Sequence, residues 1–272
     1  MAASVRRPAG VPLVFAHRGS SSLLPEHTLA AYRQALREGA DGLECDVRLT
    51  RDGHLVCVHD RRLDRTSNGR GRVSSRTLAE LEQLDFGSWH RGAADDLPSD
   101  LPADPDRTRL LTLDRLLREV RAAGRPVELL IETKHPTRYG GDVERRLVEL
   151  LRRHRLSDPD PGDPVRIKVM SFSPLAIRRV RELAPGLPTV LLLELLPRGL
   201  RLGRLPFGAR IAGPGISLVR ARPQLVPALR TAGNEVFVWT VNEPDDLDLV
   251  LECGVDGIIT DRPAEVLKHL GR

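Results

Sequence analysis

Asp41–Asp60 reads DGLECDVRLTRDGHLVCVHD, and its periodicity sets the architecture of the chain. Leu43, Cys45, Val47 and Leu49 alternate with Glu44, Asp46, Arg48 and Thr50, the period of two that marks a half-buried strand. Asp52-Gly53 is the dipeptide of a two-residue hairpin turn, in which both central residues take positive φ. Leu55, Val56, Cys57 and Val58 then carry the chain back. With Asp52 and Gly53 as the turn, Asp46 is expected opposite His59, and opposed side chains sit about 4.5–5.5 Å apart at Cβ. Glu44 precedes Asp46 by two residues and so points to the same face. Two carboxylates and an imidazole are thereby gathered into one patch. Acids this close repel each other, and a hard divalent cation is their natural neutraliser.

On either side of this hairpin, apolar strands alternate with helical patterns. VPLVFAH (11–17) is a buried strand that ends in His17-Arg18-Gly19, and Thr28–Glu38 has helical spacing with Thr28 as N-cap and Gly39 just past the end. Setting the return arm of the hairpin aside, strands are expected to begin near residues 13, 42, 127, 166, 187, 213, 235 and 256. Eight strands interleaved with helices, in a chain of 272 residues, predict a TIM (β/α)8 barrel. Residues 1–12 read as a loose tail and 13–272 as one domain. The hairpin extends the second strand above the rim, and an insertion of about 60–108 follows it, with Asp95–Asp106 as its most mobile part. Residues 194–212 carry no readable pattern, and 213–218 are expected to hold a short strand. An open doubly wound sheet is the alternative, but no glycine-rich phosphate fingerprint supports it.

Composition excludes several classes. Hydrophobic residues make up 40% and charged residues 29%, as in ordinary soluble domains. No run approaches the ~20 apolar residues of a membrane span, and no signal-like segment opens the chain, so a cytoplasmic protein without stable membrane insertion is expected. Cys45, Cys57 and Cys253 show neither CxxC nor metal spacing, which argues against a disulfide scaffold. The net charge of +5 admits an anionic ligand, yet the arginines are scattered and basic patches interleaved with aromatics are absent, so a nucleic-acid partner is not expected. Oligomeric state is not encoded in any pattern here.

The informative polar residues fall at strand ends. His17 and Arg18 end the first strand, Glu44 and Asp46 the second with His59 folded onto it, and Glu132 and Lys134 the third. In a (β/α)8 barrel these ends face one mouth, where active sites lie. Each residue has a plainer alternative: a solvated strand-end histidine, edge charges that discourage aggregation, or a Lys134–Glu132 pair that neutralises itself. Convergence of all seven on one mouth outweighs those alternatives. Trp239 reads equally as a core aromatic or a ligand-facing one, and Asp261 reads as a helix N-terminal charge before Pro263.

The chain also resembles the glycerophosphodiester phosphodiesterase family. The resemblance is carried by AHRGSSSLLPEHT (16–28), LECDVRLTRDGHLVCVHD (43–60), LDRTSNGRGRV (63–73), IETK (131–134), SF (171–172), VWTVN (238–242) and GIITDRP (257–263), in family order. It implies a TIM barrel with an insertion and a divalent metal ion, Mg2+ or Ca2+. It implies Glu44, Asp46 and Glu132 as metal ligands and His17 and His59 as the acid–base pair. Arg18 and Lys134 match positions that contact phosphate, and Glu26 matches a glutamate of the loop motif; Phe172 and Trp239 are further substrate-binding candidates. His27 stands where the family usually has Asn, and Ser173 where Asp or Asn is frequent.

The expected reaction is hydrolysis of a small-molecule glycerophosphodiester to glycerol 3-phosphate and an alcohol. A cation acts as Lewis acid on the phosphate while one histidine takes a proton and the other gives one. Which histidine does which is open at this stage, as is the nucleophile, water or the neighbouring glycerol hydroxyl. Two alternatives stand beside it: a phospholipase D-like enzyme acting on lysophospholipids, and a non-catalytic binder of phosphodiesters or nucleic acid.

Overall fold

The computed structural model describes residues 10–90, 104–160, 162–196 and 204–272. Among them, eight parallel strands close into a barrel: β1 (Leu13–His17), β2 (Gly42–Leu49), β4 (Val127–Thr133), β5 (Val165–Ser171), β6 (Thr189–Leu193), β7 (Ile211–Pro214), β8 (Glu235–Val238) and β9 (Gly257–Thr260). Closure comes from β1, which pairs in parallel with β2 on one side and β9 on the other. The return arm β3 (Leu55–Cys57) hangs antiparallel from β2. The expected TIM barrel is therefore the observed fold.

Strand alternation divides the core. One set of side chains points inward: Phe15, Leu130, Met170, Val190, Leu192, Ile211, Phe237 and Ile259 plug the barrel. Phe15 and Phe237 meet at 5.2 Å between ring centroids. Gly42 and Gly257 make room for them, since a Cβ at Gly42 would stand 2.5 Å from Phe15 Cδ1 and one at Gly257 2.7 Å from Phe237 Cδ1. The other set points outward under the helices. Helix α1 (Leu29–Glu38) is typical: Thr28 caps its start by accepting from Ala31 N, Gly39 ends it at φ +89°, and Leu29, Ala31, Tyr32 and Ala35 face the sheet.

The hairpin departs from expectation. Its pairs are Val47 with Cys57, Arg48 with Val56 and Leu49 with Leu55, one residue off the expected register. Thr50 pairs with His54 across a three-residue loop, Arg51-Asp52-Gly53, with Gly53 at φ +84°. The Thr50 hydroxyl causes this: it donates to Asp52 Oδ1 at 2.6 Å and accepts from His54 N at 2.9 Å. Val58, not His59, therefore faces Asp46, with Val58 N donating to Asp46 O at 3.1 Å. His59 reaches the barrel mouth because regular pairing stops at Cys57 and the chain turns.

The insertion packs on its own small core of Val56, Val58, Leu63, Val73, Leu81, Phe86 and Leu110, with helix α2 (Leu78–Glu82) on a capping box of Thr77 and Glu80. The stretch expected to be most mobile lies, for residues 95–103, outside the described residues. The short strand expected at 213–218 is corrected: β7 ends at Pro214 and Ile216–Ala221 is a helix, α6, that starts after Gly215. ISLV fits either period, and docking of Leu218 and Val219 into the outer core decided it. No helix among the described residues is long and apolar enough to cross a membrane.

Candidate active site

Strand register assembles the site. His17 on β1 is the parallel partner of Glu44 on β2, and Asp46 on β2 is the partner of Glu132 on β4. All four sit at the same end of the barrel, with inward-facing parity. Glu44, Asp46 and Glu132 are buried, and one carboxylate oxygen of each lies within 4.8 Å of the others. Lys134 Nζ stands 2.9 Å from Glu132 Oε1 and 3.4 Å from Asp46 Oδ1. Arg18 Nε stands 3.1 Å from Asp46 Oδ2, an ion pair too bent to count as a hydrogen bond.

The charge balance tests whether a cation fits. Burial, reinforced by Asp46, pushes the Glu44 carboxyl well above the usual range. Burial and Asp46 likewise push Glu132 up to about 8. Burial also works against the Asp46 carboxylate, but Arg18, the His27 hydrogen bond and Lys134 outweigh it and hold Asp46 low. Two cationic side chains thus face three buried acids, and the mutual repulsion is relieved only by protons or by a further cation. Three hard oxygen donors gathered here could hold a hard divalent metal ion.

Two histidines border the cluster, each tied to an acid through Nδ1. His17 Nδ1 is 2.7 Å from Asp261 Oδ1, and its Nε2 is 4.0 Å from Glu44 Oε2. His59 Nδ1 is 2.7 Å from Asp60 Oδ1. Since a carboxylate only accepts, each Nδ1 carries the proton and each Nε2 is left for chemistry. Burial, with Arg18 and Lys134 nearby, pulls His59 down to about 4 despite the pull of Asp46 and Asp60. The reading of Asp261 as a helix-terminal charge is corrected. Asp261 accepts from His17, from Ser21 Oγ at 2.7 Å and from Asn242 Nδ2 at 2.6 Å, and these bonds hold it low against its burial. It follows β9 directly, so the strand-end rule that found Glu44 and Glu132 also marks it. Asp60 went unread for its neighbour His59.

The loop after β1 supports this wall from behind. His27 takes φ +62°, a conformation that Asn and His tolerate better than most residues. Its Nε2 lies 2.9 Å from Asp46 Oδ2 and its Nδ1 2.8 Å from the Tyr32 hydroxyl, which also reaches Glu44 O at 3.1 Å. Burial keeps His27 neutral, so Nε2–H is the donor that orients Asp46. Glu26 is occupied by Arg18 at 3.0 Å and by Arg65 at 2.7 Å.

A cavity of about 340 Å³ opens over the cluster, lined by His17, Arg18, Glu44, His59, Glu132, Lys134, Phe172 and Trp239, among others. Asp46 lies beneath this wall and Glu26 behind it; neither lines the cavity. Trp239 donates Nε1–H to Gly213 O at 2.7 Å and meets Phe172 edge-on at 5.3 Å, and Lys134 Nζ lies 5.8 Å from the Phe172 ring, so the pair forms an apolar side of the cavity that begins beside Lys134. Glu194, just past β6, also lines the cavity and lay in the stretch without readable pattern.

Comparison with known proteins agrees with this geometry. Residues 17–265 match the Glycerophosphoryl diester phosphodiesterase family. The chain is 50% identical over 256 residues to a probable glycerophosphodiester phosphodiesterase 1 of Mycobacterium tuberculosis, covering 94% of this chain and 91% of the relative. It is 34% identical to a glycerophosphodiester phosphodiesterase of Bacillus subtilis, over 92% of this chain and 84% of that one. A phosphodiesterase of Oleispira antarctica, solved with the product sn-glycerol-3-phosphate, superposes with a TM-score of 0.80 at 27% identity, over 96% of this chain and 98% of that one.

Proposed function

The chain belongs to the glycerophosphoryl diester phosphodiesterase family and is a phosphodiesterase of that family; from this premise we propose that it hydrolyses glycerophosphodiesters to glycerol 3-phosphate and an alcohol by histidine acid–base catalysis at a divalent cation. One observation carries the reading: three buried carboxylates converge within 4.8 Å beside two histidines whose Nε2 atoms are left for the substrate.

Glu44, Asp46 and Glu132 would hold the cation. When bound, it supplies Lewis-acid stabilisation of charge on a non-bridging phosphate oxygen. Arg18 and Lys134, both at the cavity wall, add positive potential where the phosphate sits. His59 is neutral at neutral pH and takes the proton from the nucleophile through Nε2, while Asp60 holds its tautomer. His17 is the remaining proton carrier and donates to the leaving alkoxide, with Asp261 fixing its ring. Each such transfer contributes roughly 10²–10⁴-fold. Phe172 and Trp239 form the apolar side of the cavity that limits water there.

The test uses glycerol 3-phosphate release together with cation binding. His17→Ala and His59→Ala are expected to abolish turnover while binding Mg2+ or Ca2+ nearly as the parent does. Glu44→Ala, Asp46→Ala and Glu132→Ala are expected to weaken cation binding itself. Full turnover by either histidine variant refutes the acid–base assignment, and a scan of Mg2+, Ca2+ and Mn2+ against chelator identifies the metal.

One observation favours the second reading, phospholipase D-like action on lysophospholipids. Phe172 is 39% exposed and Leu195 79% exposed, on the segments leaving β5 and β6 at the mouth. An acyl chain would lie on such a rim, and turnover of lysophosphatidylcholine against glycerophosphocholine separates the two readings.

A further inference from the structure

Beside the catalytic cavity, and sharing Lys134 with it, lies a second cleft between the hairpin and the chain leaving β4. Its wall includes Arg48, Arg61, Arg138, Lys134, Ser74 and Thr137, and among the described residues no carboxylate lines it. Lys134 is balanced by Glu132 and Asp46 in the catalytic cluster. Among the described residues, none of the three arginines has a carboxylate oxygen within the 4.0 Å ion-pair distance, and the longer-range pull of Asp46, Glu132 and Asp60 on Arg48 does not offset its burial. The contrast with the rest of the mouth is plain, since Arg18 and Arg65 each pair with two acids. Arg48 is partly buried, and its one hydrogen bond is from Nε to the carbonyl of His59 at 2.8 Å. Its two terminal nitrogens have no acceptor among the described residues. Arg61 and Arg138 are exposed, with Arg138 resting on the Tyr139 ring at 5.8 Å.

Like charges lining one cleft repel each other, and an anion between them would relieve that repulsion. The enclosed part of the cleft, about 20 Å³, has room for one oxygen atom of such an anion, with the rest lying at the opening between the flexible Arg61 and Arg138 side chains. Guanidinium forks are suited to phosphate and carboxylate oxygens. Lys134, shared by the two cavities and standing where the phosphate would bind, sets the reach: a charged group carried by a bound diester can enter.

We propose that this cleft is an anion subsite that receives a second phosphate, or a carboxylate, carried by the alcohol moiety of the substrate. The inference rests on the phosphodiesterase reading and names its substrate class: glycerophosphodiesters with an anionic alcohol.

The experiment compares kcat/KM for glycerophosphoglycerol, whose alcohol is neutral, with that for glycerophosphoglycerol phosphate, on the intact cation-loaded enzyme. The wild type is expected to prefer the phosphate-bearing diester about tenfold, one charge-assisted contact, and to lose the preference as salt rises. The double variant Arg61→Gln/Arg138→Gln is expected to erase the preference while leaving glycerophosphoglycerol turnover within about twofold. That unchanged rate also reports correct folding. Equal kcat/KM for the two diesters in the wild type overturns the subsite, as does an equal loss on both in the variant. Inorganic phosphate is the second arm. If it alters glycerophosphoglycerol turnover in the wild type but not in the variant, without any preference between diesters, the cleft belongs to free phosphate and its role in substrate choice is overturned. Failure to hydrolyse either diester refutes the phosphodiesterase reading instead.

Discussion

At the proposed cation site, binding would expel protons from the carboxylate cluster, Glu132 contributing close to one. In the cation-free protein, burial and the neighbouring Asp46 push Glu132 up to about 8. At pH 7 such a group is about nine-tenths protonated, so each cation bound releases close to one proton. The apparent dissociation constant then rises roughly fiftyfold between pH 8 and pH 6. Glu44, also raised, adds to this slope. The sign for stability follows from the same shift. The folded cation-free protein retains a proton that the unfolded chain loses above about 4.5, so its stability falls as pH rises from there toward 8. A divalent cation removes that penalty, and its thermal upshift is larger at pH 8 than at pH 6. Titration calorimetry with Mg2+ or Ca2+ in two buffers of different ionisation enthalpy reads the proton count directly. A pH-independent affinity with no proton released would show that the three acids are not the ligands, whatever the activity.

Three further outcomes follow from the site and the core. Asp261→Asn removes the charge partner of His17 Nδ1, a bond worth about 1.5–3 kcal/mol, so kcat falls roughly 10–100-fold while cation affinity stays within a factor of two; unchanged kcat would return Asp261 to a structural role. His27→Ala weakens cation binding ~10–100-fold by releasing Asp46, and His27→Asn, which keeps a donor and tolerates the positive φ, binds closer to the parent; equal affinity in His27→Ala would end that account. Gly42→Ala sets a Cβ 2.4 Å from Glu128 O and 2.5 Å from Phe15 Cδ1. Overpacking there costs about 1–3 kcal/mol, and the melting temperature falls by roughly 2–12 °C; an unchanged melt would mean that the plug of the barrel can shift.

The residues that could be read from the sequence are those governed by strand parity. Glu44, Asp46 and Glu132 share a face because side chains alternate, and they share a level because parallel partners align; both follow from where the strands lie. His59 was placed at the mouth for a reason that fails. The Asp52-Gly53 turn suggested direct opposition to Asp46, whereas Thr50, through two side-chain bonds, lengthened the loop and moved the register by one. A one-residue slip reverses every facing, and His59 regains the mouth only because the pairing has already ended. The partnership of His17 with Asp261 was out of reach for another reason: it spans 244 positions and exists only after closure. The arginine cleft was hidden in the same way. Arg48, Arg61 and Arg138 look like three scattered arginines until the hairpin folds beside the chain leaving β4.

The pairing of β1 with β9 ties His17, the proposed proton donor, to an acid 244 positions later in the chain. A ribosome emitting this chain exposes His17 early and Asp261 late, so the proton donor remains unaligned through most of synthesis. Under the proposed mechanism, turnover therefore depends on the last seam of the cylinder, and a chain halted before β9 would hold the proposed metal ligands without the acid that aligns His17.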